Sequence, residues 1–318
     1  MERSSQGPGP RPATVALNFR LGHQFVDVVQ DALGDEVVAA SNDPRADDAE
    51  ILAVLTNDAD SIRRSVTPQV RWIHALKAGV DDFPLDVVGD RAFTCSRGAT
   101  AVPIAEWVMS MVLAHAKRLP GSWVTEPPEP WGIADLDSVA GATLGLVGVG
   151  AIGTEVARRA LAFDMDVVGY RRRSLPPPVA GITMVSSLTE LLERADHVVV
   201  AAPATPDTRH LIGAEELALM QPTAHLVNIA RGTLVDQDAL LAALDDGRLA
   251  AASLDVTEPE PLPAGHPLYA HEKVRLSPHI SWAGPRGISG SLSLFVENVR
   301  RYRAGEPLHG VVDVAAGY

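Results

Sequence analysis

The chain has 318 residues, 46% of them hydrophobic and 21% charged, with a formal net charge of −13. That length suggests two domains, each large enough to bury a core. The charge argues against nucleic acid or an anionic membrane surface as partner, since both need a positive field. No run approaches the roughly 18 consecutive apolar residues of a membrane span.

The opening stretch, MERSSQGPGPRP, lacks the apolar segment of a secretory signal and reads as a disordered leader, so the expected location is cytoplasmic. Cys95 is the single cysteine, which rules out an internal disulfide and a cysteine-rich metal site, and no metal is expected. Inside the apolar run AFTCS, its thiol reads as buried in preference to nucleophilic.

In chain order, short apolar runs alternate with amphipathic ones, the pattern of a parallel α/β sheet. The first hundred residues carry TVALNF (14–19), EVVAAS (36–41), ILAVL (51–55), VRWIHAL (70–76) and AFTCS (92–96) as strands. Between the first two, HQFVDVVQDAL has helical apolar spacing, with Gly34 as its stop. Val102 to Leu119 reads as a core helix that carries the chain into a second domain. A loop rich in Pro and Trp, GSWVTEPPEPWG, precedes a fresh start at Ala140.

From there TLGLVGV (143–149), DVVGY (166–170), DHVVVAA (196–202), HLVNIA (225–230), LAAASLD (249–255) and VRLS (274–277) read as buried strands. The helices between them end at Phe163, start at a capping box from Ser187 to Glu190, and cover EELALM and QDALLAALDDG. Arg286 to Arg303 is helical again and is expected to return onto the first domain. The fold class is α/β, with parallel sheets in two Rossmann-like or flavodoxin-like domains. Residues 1–100 with 287–318 form the expected substrate domain, and 101–286 the dinucleotide-binding domain.

Gly148, Gly150 and Gly153, in GVGAIG, match the dinucleotide fingerprint. The first glycine permits the turn after the strand, the second lets backbone approach the pyrophosphate, and the third seats the helix on the strand. Spacing alone is weak evidence, but the motif lies between a buried strand and an amphipathic helix, as the fold requires. At the end of the second strand, where NAD-binding chains offer Asp or Glu to the ribose, stand Arg171, Arg172, Arg173 and Ser174. Guanidinium groups there can pair with a 2′-phosphate. A solvated basic turn is the bland alternative; in so acidic a chain the run favours NADP(H) over NAD(H).

Three later segments put polar residues directly after buried strands, where an open α/β sheet faces its ligand. They are VNIARGTLVD with Arg231, SLDVTEPEPLP with Asp255 and Glu260, and RLSPHIS with His279. Reduction of a 2-keto acid needs a planar cation for the carboxylate, which suits Arg231. It needs a proton donor for the developing alkoxide, which suits His279. A carboxylate such as Glu260 beside that histidine favours its imidazolium form and fixes its orientation. Singly, a helix cap, a solvated loop and a turn residue would explain the three; together, behind a phosphate-binding turn, they point to catalysis.

With these residues in view, the chain resembles the D-isomer-specific 2-hydroxyacid dehydrogenases over nearly its whole length. The resemblance rests on AGVD (78–81), GVGAIG, PATPDTRHLI, LMQPTAHLVNIARGTLVD, LDVTEPEPLP and SPHIS. It implies a cofactor and substrate cleft between the two domains, with Arg231, Glu260 and His279 as the catalytic set. It also implies that Asp255 lies near the nicotinamide carboxamide, and that Ala151, Ile152, Pro203, Thr208 and Ala230 cradle the dinucleotide. Ala78, Gly79 and Val80 would then offer backbone N–H groups to the substrate carboxylate. The implied partners are a small 2-keto or 2-hydroxy acid and, through the coenzyme domain, a second copy in a homodimer.

Arg171 departs from the family's usual acidic residue, as in NADPH-preferring glyoxylate and hydroxypyruvate reductases. Thr257 replaces a bulky apolar residue, which is expected to loosen the wall near Glu260. Lys77 either adds a cation for the substrate or ends a strand. The competing functions are a redox-sensing dinucleotide-binding scaffold of the same fold and the oxidation of formate or phosphite.

Overall fold

The structure is a computed structural model that describes residues 14–19, 24–34, 36–56, 58–172 and 175–317. The leader read in residues 1–12 lies outside the described residues. The chain divides into two compact units, residues 1–100 with 287–318 and residues 101–286.

The first unit holds β1 (Val15–Phe19), α1 (Gln24–Leu33), β2 (Val38–Ala40), β3 (Ile51–Leu55), α2 (Ala59–Ser65), β4 (Trp72–Ala75) and β5 (Ala92–Cys95). All five strands are parallel, in the order β2-β1-β3-β4-β5, the doubly wound flavodoxin-like arrangement. Along β1, Val15 and Leu17 enter one apolar cluster while Ala16 enters the other. The sheet is thus covered on both faces, and its strands are mostly apolar instead of alternating with polar residues, with Asn18, His74 and Thr94 buried among them.

The chain then runs through α3 (Ala101–Ala116), β6 (Thr143–Val147), α4 (Ala151–Ala162), β7 (Asp166–Tyr170), β8 (Ile182–Met184), α5 (Leu188–Arg194) and β9 (His197–Val200). It continues with α6 (Ala214–Leu219), β10 (His225–Asn228), α7 (Gln237–Asp245), β11 (Ala251–Leu254), β12 (Val274–Leu276) and α8 (Pro285–Ala304). Seven parallel strands order as β12-β11-β10-β9-β6-β7-β8. Chain direction across the sheet reverses between β9 and β6, the switch point at which such sheets open a crevice beyond their carboxyl ends. Along α8, Phe295 is fully buried and Tyr302 stacks on Trp72 with ring centroids 5.3 Å apart, so the helix closes one face of the first sheet.

One boundary and one cap differ from the sequence reading. The α3 helix stops at Ala116, before Leu119, because Arg118 turns left-handed (φ 50°) ahead of Leu119-Pro120, a pair that disfavours helix. At α5 only half of the capping box forms. Ser187 Oγ accepts from the Glu190 N–H at 3.1 Å, but the Glu190 carboxylate reaches the Ser186 N–H, at 3.4 Å.

Candidate functional site

The turn after β6 is shaped by backbone collisions. Gly148 has φ 105°, and a Cβ there would lie 2.7 Å from the Ala201 and Ala202 backbone. A Cβ on Gly153 would lie 2.5 Å from the Gly148 carbonyl oxygen, so α4 seats on the turn only with glycine. Gly150 is different, because a Cβ there would meet nothing within 4 Å. Its smallness is not needed by the chain's own packing and leaves open space at the mouth of α4. Ala151, Ile152 and Gly153 open that helix, so their N–H groups have no acceptor within it.

Beside this turn, Thr208 knits the loop after β9, donating to the Pro203 carbonyl at 2.8 Å and accepting from the Thr205 N–H at 2.8 Å. Ala230 is fixed by Asn228, whose buried carboxamide accepts from the Ala230 N–H (3.1 Å) and donates to the Arg231 carbonyl (2.9 Å). Past β7, the Arg171 guanidinium folds over its own loop and donates to the carbonyls of Leu175 and Pro176, each at 2.5 Å. Its Nε is buried without a hydrogen-bond partner. Arg172 pairs with Asp207 at 3.4 Å. Arg173 and Ser174 lie outside the described residues.

Arg231, Glu260 and His279 follow β10, β11 and β12, three strands side by side. Arg231 donates through Nη1 to the Ala230 carbonyl at 2.8 Å. Glu260 Oε2 lies 2.9 Å from His279 Nδ1, and both side chains are more than a third exposed. Thr257 does not loosen this wall. Its N–H donates to Glu260 Oε1 (3.0 Å) and its hydroxyl to the Pro259 carbonyl (3.0 Å), so a residue with a hydrogen-bonding side chain stitches the turn together.

His279 sits at φ 54°, a conformation that needs support from its surroundings. Asp255 supplies it. Only 1% exposed, its carboxylate accepts from Ser277 Oγ (2.5 Å) and the N–H groups of Ile280 (2.8 Å) and Ser281 (2.9 Å). The Trp282 indole also donates to the His279 carbonyl, at 2.9 Å. The sequence reading gave Asp255 to the cofactor and missed Asn228, Ser277 and Trp282. The NIARG and SPHIS segments that hold Asn228 and Ser277 were in view, but the partners of their hydrogen bonds were not, and Trp282 lies just beyond.

Ala78, Gly79 and Val80 lie in the loop after β4 in the first unit and lead into a turn in which the Phe83 N–H donates to the Val80 carbonyl at 3.0 Å. Lys77, just before them, forms an ion pair with Asp82 of the same loop. Among the described residues, no group of three or more His, Cys, Asp or Glu side chains is placed to hold a metal ion. Nor is any described helix long and apolar enough to cross a membrane.

Residues 109–281 match the family model for the D-isomer specific 2-hydroxyacid dehydrogenase, NAD binding domain. The chain belongs to the D-isomer specific 2-hydroxyacid dehydrogenases. These are nicotinamide-dependent oxidoreductases of 2-hydroxy and 2-keto acids. A glyoxylate reductase from Thermofilum pendens is 34% identical over 73% of this chain and 72% of its own length. A D-3-phosphoglycerate dehydrogenase from Methanocaldococcus jannaschii is 32% identical over 84% of this chain, which spans only 52% of that relative. Among solved structures, a family member from Xanthobacter autotrophicus Py2, crystallised with NADPH and MES, superposes with a TM-score of 0.82 at 29% identity. That match covers 96% of this chain and all of the other.

Proposed function

We propose that this dehydrogenase is an NADPH-preferring reductase of small 2-keto acids. In this reading residues 101–286 bind the dinucleotide, and residues 1–100 with 287–318 recognise the acid. The observation that carries the reading is the His279–Glu260 contact of 2.9 Å, set on the same row of strand ends as the glycine turn.

The residues present fit a dinucleotide. Open space over Gly150 and the N–H groups of Ala151, Ile152 and Gly153 suit a pyrophosphate at a helix N-terminus. Pro203, Thr208 and Ala230 would complete the cradle. Arg171 and Arg172, together with Arg173 and Ser174, would take the 2′-phosphate, the Arg171 guanidinium exchanging the Leu175 and Pro176 carbonyls for phosphate oxygens. The Xanthobacter relative's complex with NADPH supports the same choice.

The dinucleotide, when bound, supplies the hydride that C2 of the keto acid receives. Arg231 holds the acid's carboxylate through its planar guanidinium. His279 donates a proton to the carbonyl oxygen, and because Nδ1 faces Glu260, the donating atom is Nε2. Glu260 stabilises the imidazolium and fixes the ring's orientation. Asp255 acts on the turn that carries His279, since its carboxylate is committed there to three donors. Ala78, Gly79 and Val80 are assigned the substrate carboxylate through backbone N–H groups. Lys77 is assigned a supporting place in that loop, because Asp82 already neutralises it.

The protein in this account is a cytoplasmic homodimer. Trp123, Trp131 and Ile133, each more than 70% exposed in the segment after α3, suit burial by a second copy. The test is a panel of 2-keto acids, glyoxylate and hydroxypyruvate among them, assayed with NADPH and with NADH. Turnover favouring NADPH is expected. Binding of cofactor without turnover of any acid would point to a redox-sensing scaffold, and turnover of formate or phosphite alone would replace the substrate.

A further inference from the structure

The turn that presents Glu260, residues 257–261, belongs to no strand or helix and contains Pro259 and Pro261, which have no N–H to donate. Few backbone groups are left to fix it. The Thr257 N–H is taken by the carboxylate of Glu260 itself. Both backbone groups of Glu258 are instead bound by one distant side chain, that of Gln237. Gln237 Nε2 donates to the Glu258 carbonyl at 2.5 Å, and Oε1 accepts from the Glu258 N–H at 3.1 Å.

This ring of two hydrogen bonds has the form of a pair of facing peptide groups, and a carboxamide makes it because it carries a donor and an acceptor side by side. The backbone of Gln237 is itself held at the start of α7, where Asp236 accepts from the N–H groups of Asp238 and Ala239. Close by, Gly232 lets the Arg231 loop pack on the turn, since a Cβ there would lie 2.0 Å from the Thr257 carbonyl carbon. The Arg209–Glu258 ion pair (2.9 Å) also reaches the turn, but its partners are more than a third exposed and salt screens it. That pair holds a side chain, whereas Gln237 holds the backbone.

The geometry points to Gln237 as the positioning residue for Glu260, tying the turn to the loop of Arg231 so that the carboxylate meets His279 Nδ1. The inference rests on the reading that Glu260 acts through His279. Gln237→Met keeps the length of the side chain and loses both hydrogen bonds. Gln237→Glu keeps the acceptor but sets a second oxygen against the Glu258 carbonyl.

Both variants should bind NADPH within about twofold of wild type, while kcat for keto-acid reduction falls about tenfold, the scale on which misplaced catalytic groups lose rate. In the Glu260→Gln background, Gln237→Met should change kcat by less than about twofold, because residues acting through one another are not additive. A normal kcat in both variants, an equal loss of NADPH binding, or an undiminished tenfold loss in the Glu260→Gln background would overturn the assignment. Wild-type behaviour of Glu260→Gln itself would overturn the reading of Glu260, and this inference with it.

Discussion

The turn after β6 and the turn after β11 both present groups at the carboxyl end of one sheet, and they are built in different ways. After β6 the shape comes from backbone. Gly148 and Gly153 are fixed because any larger residue would strike the Ala201–Ala202 backbone or the Gly148 carbonyl. After β11 the shape comes from side chains far away in sequence, Gln237 binding the backbone of Glu258 and His279 meeting the carboxylate of Glu260. A turn of the first kind announces itself in the sequence, since glycine alone tolerates it. The second kind does not, because a glutamine at a helix start looks the same whether it faces solvent or clamps a loop.

The sharpest way to break this contrast lies within the glycine turn. Gly153→Ala forces a Cβ to 2.5 Å from a carbonyl oxygen, so α4 must shift. Stability should fall by about 1–3 kcal/mol, the range for overpacked sites, and NADPH affinity should fall beyond measurement. Gly150→Ala meets open space, so its thermal midpoint should barely move, while NADPH affinity falls at least about tenfold. Calorimetric titration beside thermal melts separates the two. Unchanged affinity in Gly150→Ala would mean that this space serves no phosphate.

The second prediction concerns side-chain construction in the first unit. His74 is fully buried, and its Nδ1 lies 2.7 Å from the Thr94 hydroxyl, which already accepts from the Trp72 indole at 2.8 Å. Nε2 lies 3.2 Å from the Ser96 hydroxyl, so each ring nitrogen of the neutral imidazole has a hydroxyl partner that can donate or accept. Burial pushes this histidine down to about 3, against about 6.5 for a free imidazole. Unfolded chains take up the proton below about pH 6.5 and the folded chain does not, so stability is lost as pH falls below that value and is unaffected above it. The loss from His74 should reach about 2 kcal/mol by pH 5. Urea unfolding of wild type and His74→Asn from pH 7 to 5 would check this; equal slopes would exclude His74 as a source.

A smaller effect is expected at the arginine turn, which combines both kinds of construction. Arg171→Asp should raise KM for NADPH at least about tenfold, since one charge-assisted hydrogen bond is worth roughly 1.5–3 kcal/mol. KM for NADH should hold or improve, and added salt should weaken the wild-type preference. An unchanged ratio of the two cofactors would make Arg171 a prop for its own loop, in keeping with its bonds to the Leu175 and Pro176 carbonyls.

These differences explain what the sequence could reveal. The strand runs and the order of functional segments were legible because burial on both sheet faces leaves long apolar stretches. Glu260 and His279 could be paired because each follows a strand in the same series. The work of Asp255 was hidden, because three hydrogen bonds into residues 277–281 leave no trace in spacing or composition. Thr257 was misread for the same reason: its replacement of an apolar residue suggested looseness, whereas its hydrogen bonds tighten the turn.

The central claim is that His279, oriented by Glu260, gives the proton in the reduction of a 2-keto acid. Single-turnover mixing of the enzyme–NADPH complex with glyoxylate, followed by nicotinamide absorbance, tests it most directly. His279→Gln should bind NADPH as wild type does and lose about 10²-fold or more in the rate of cofactor oxidation, the scale of general acid catalysis. A near-normal rate in that variant would remove His279 from the mechanism.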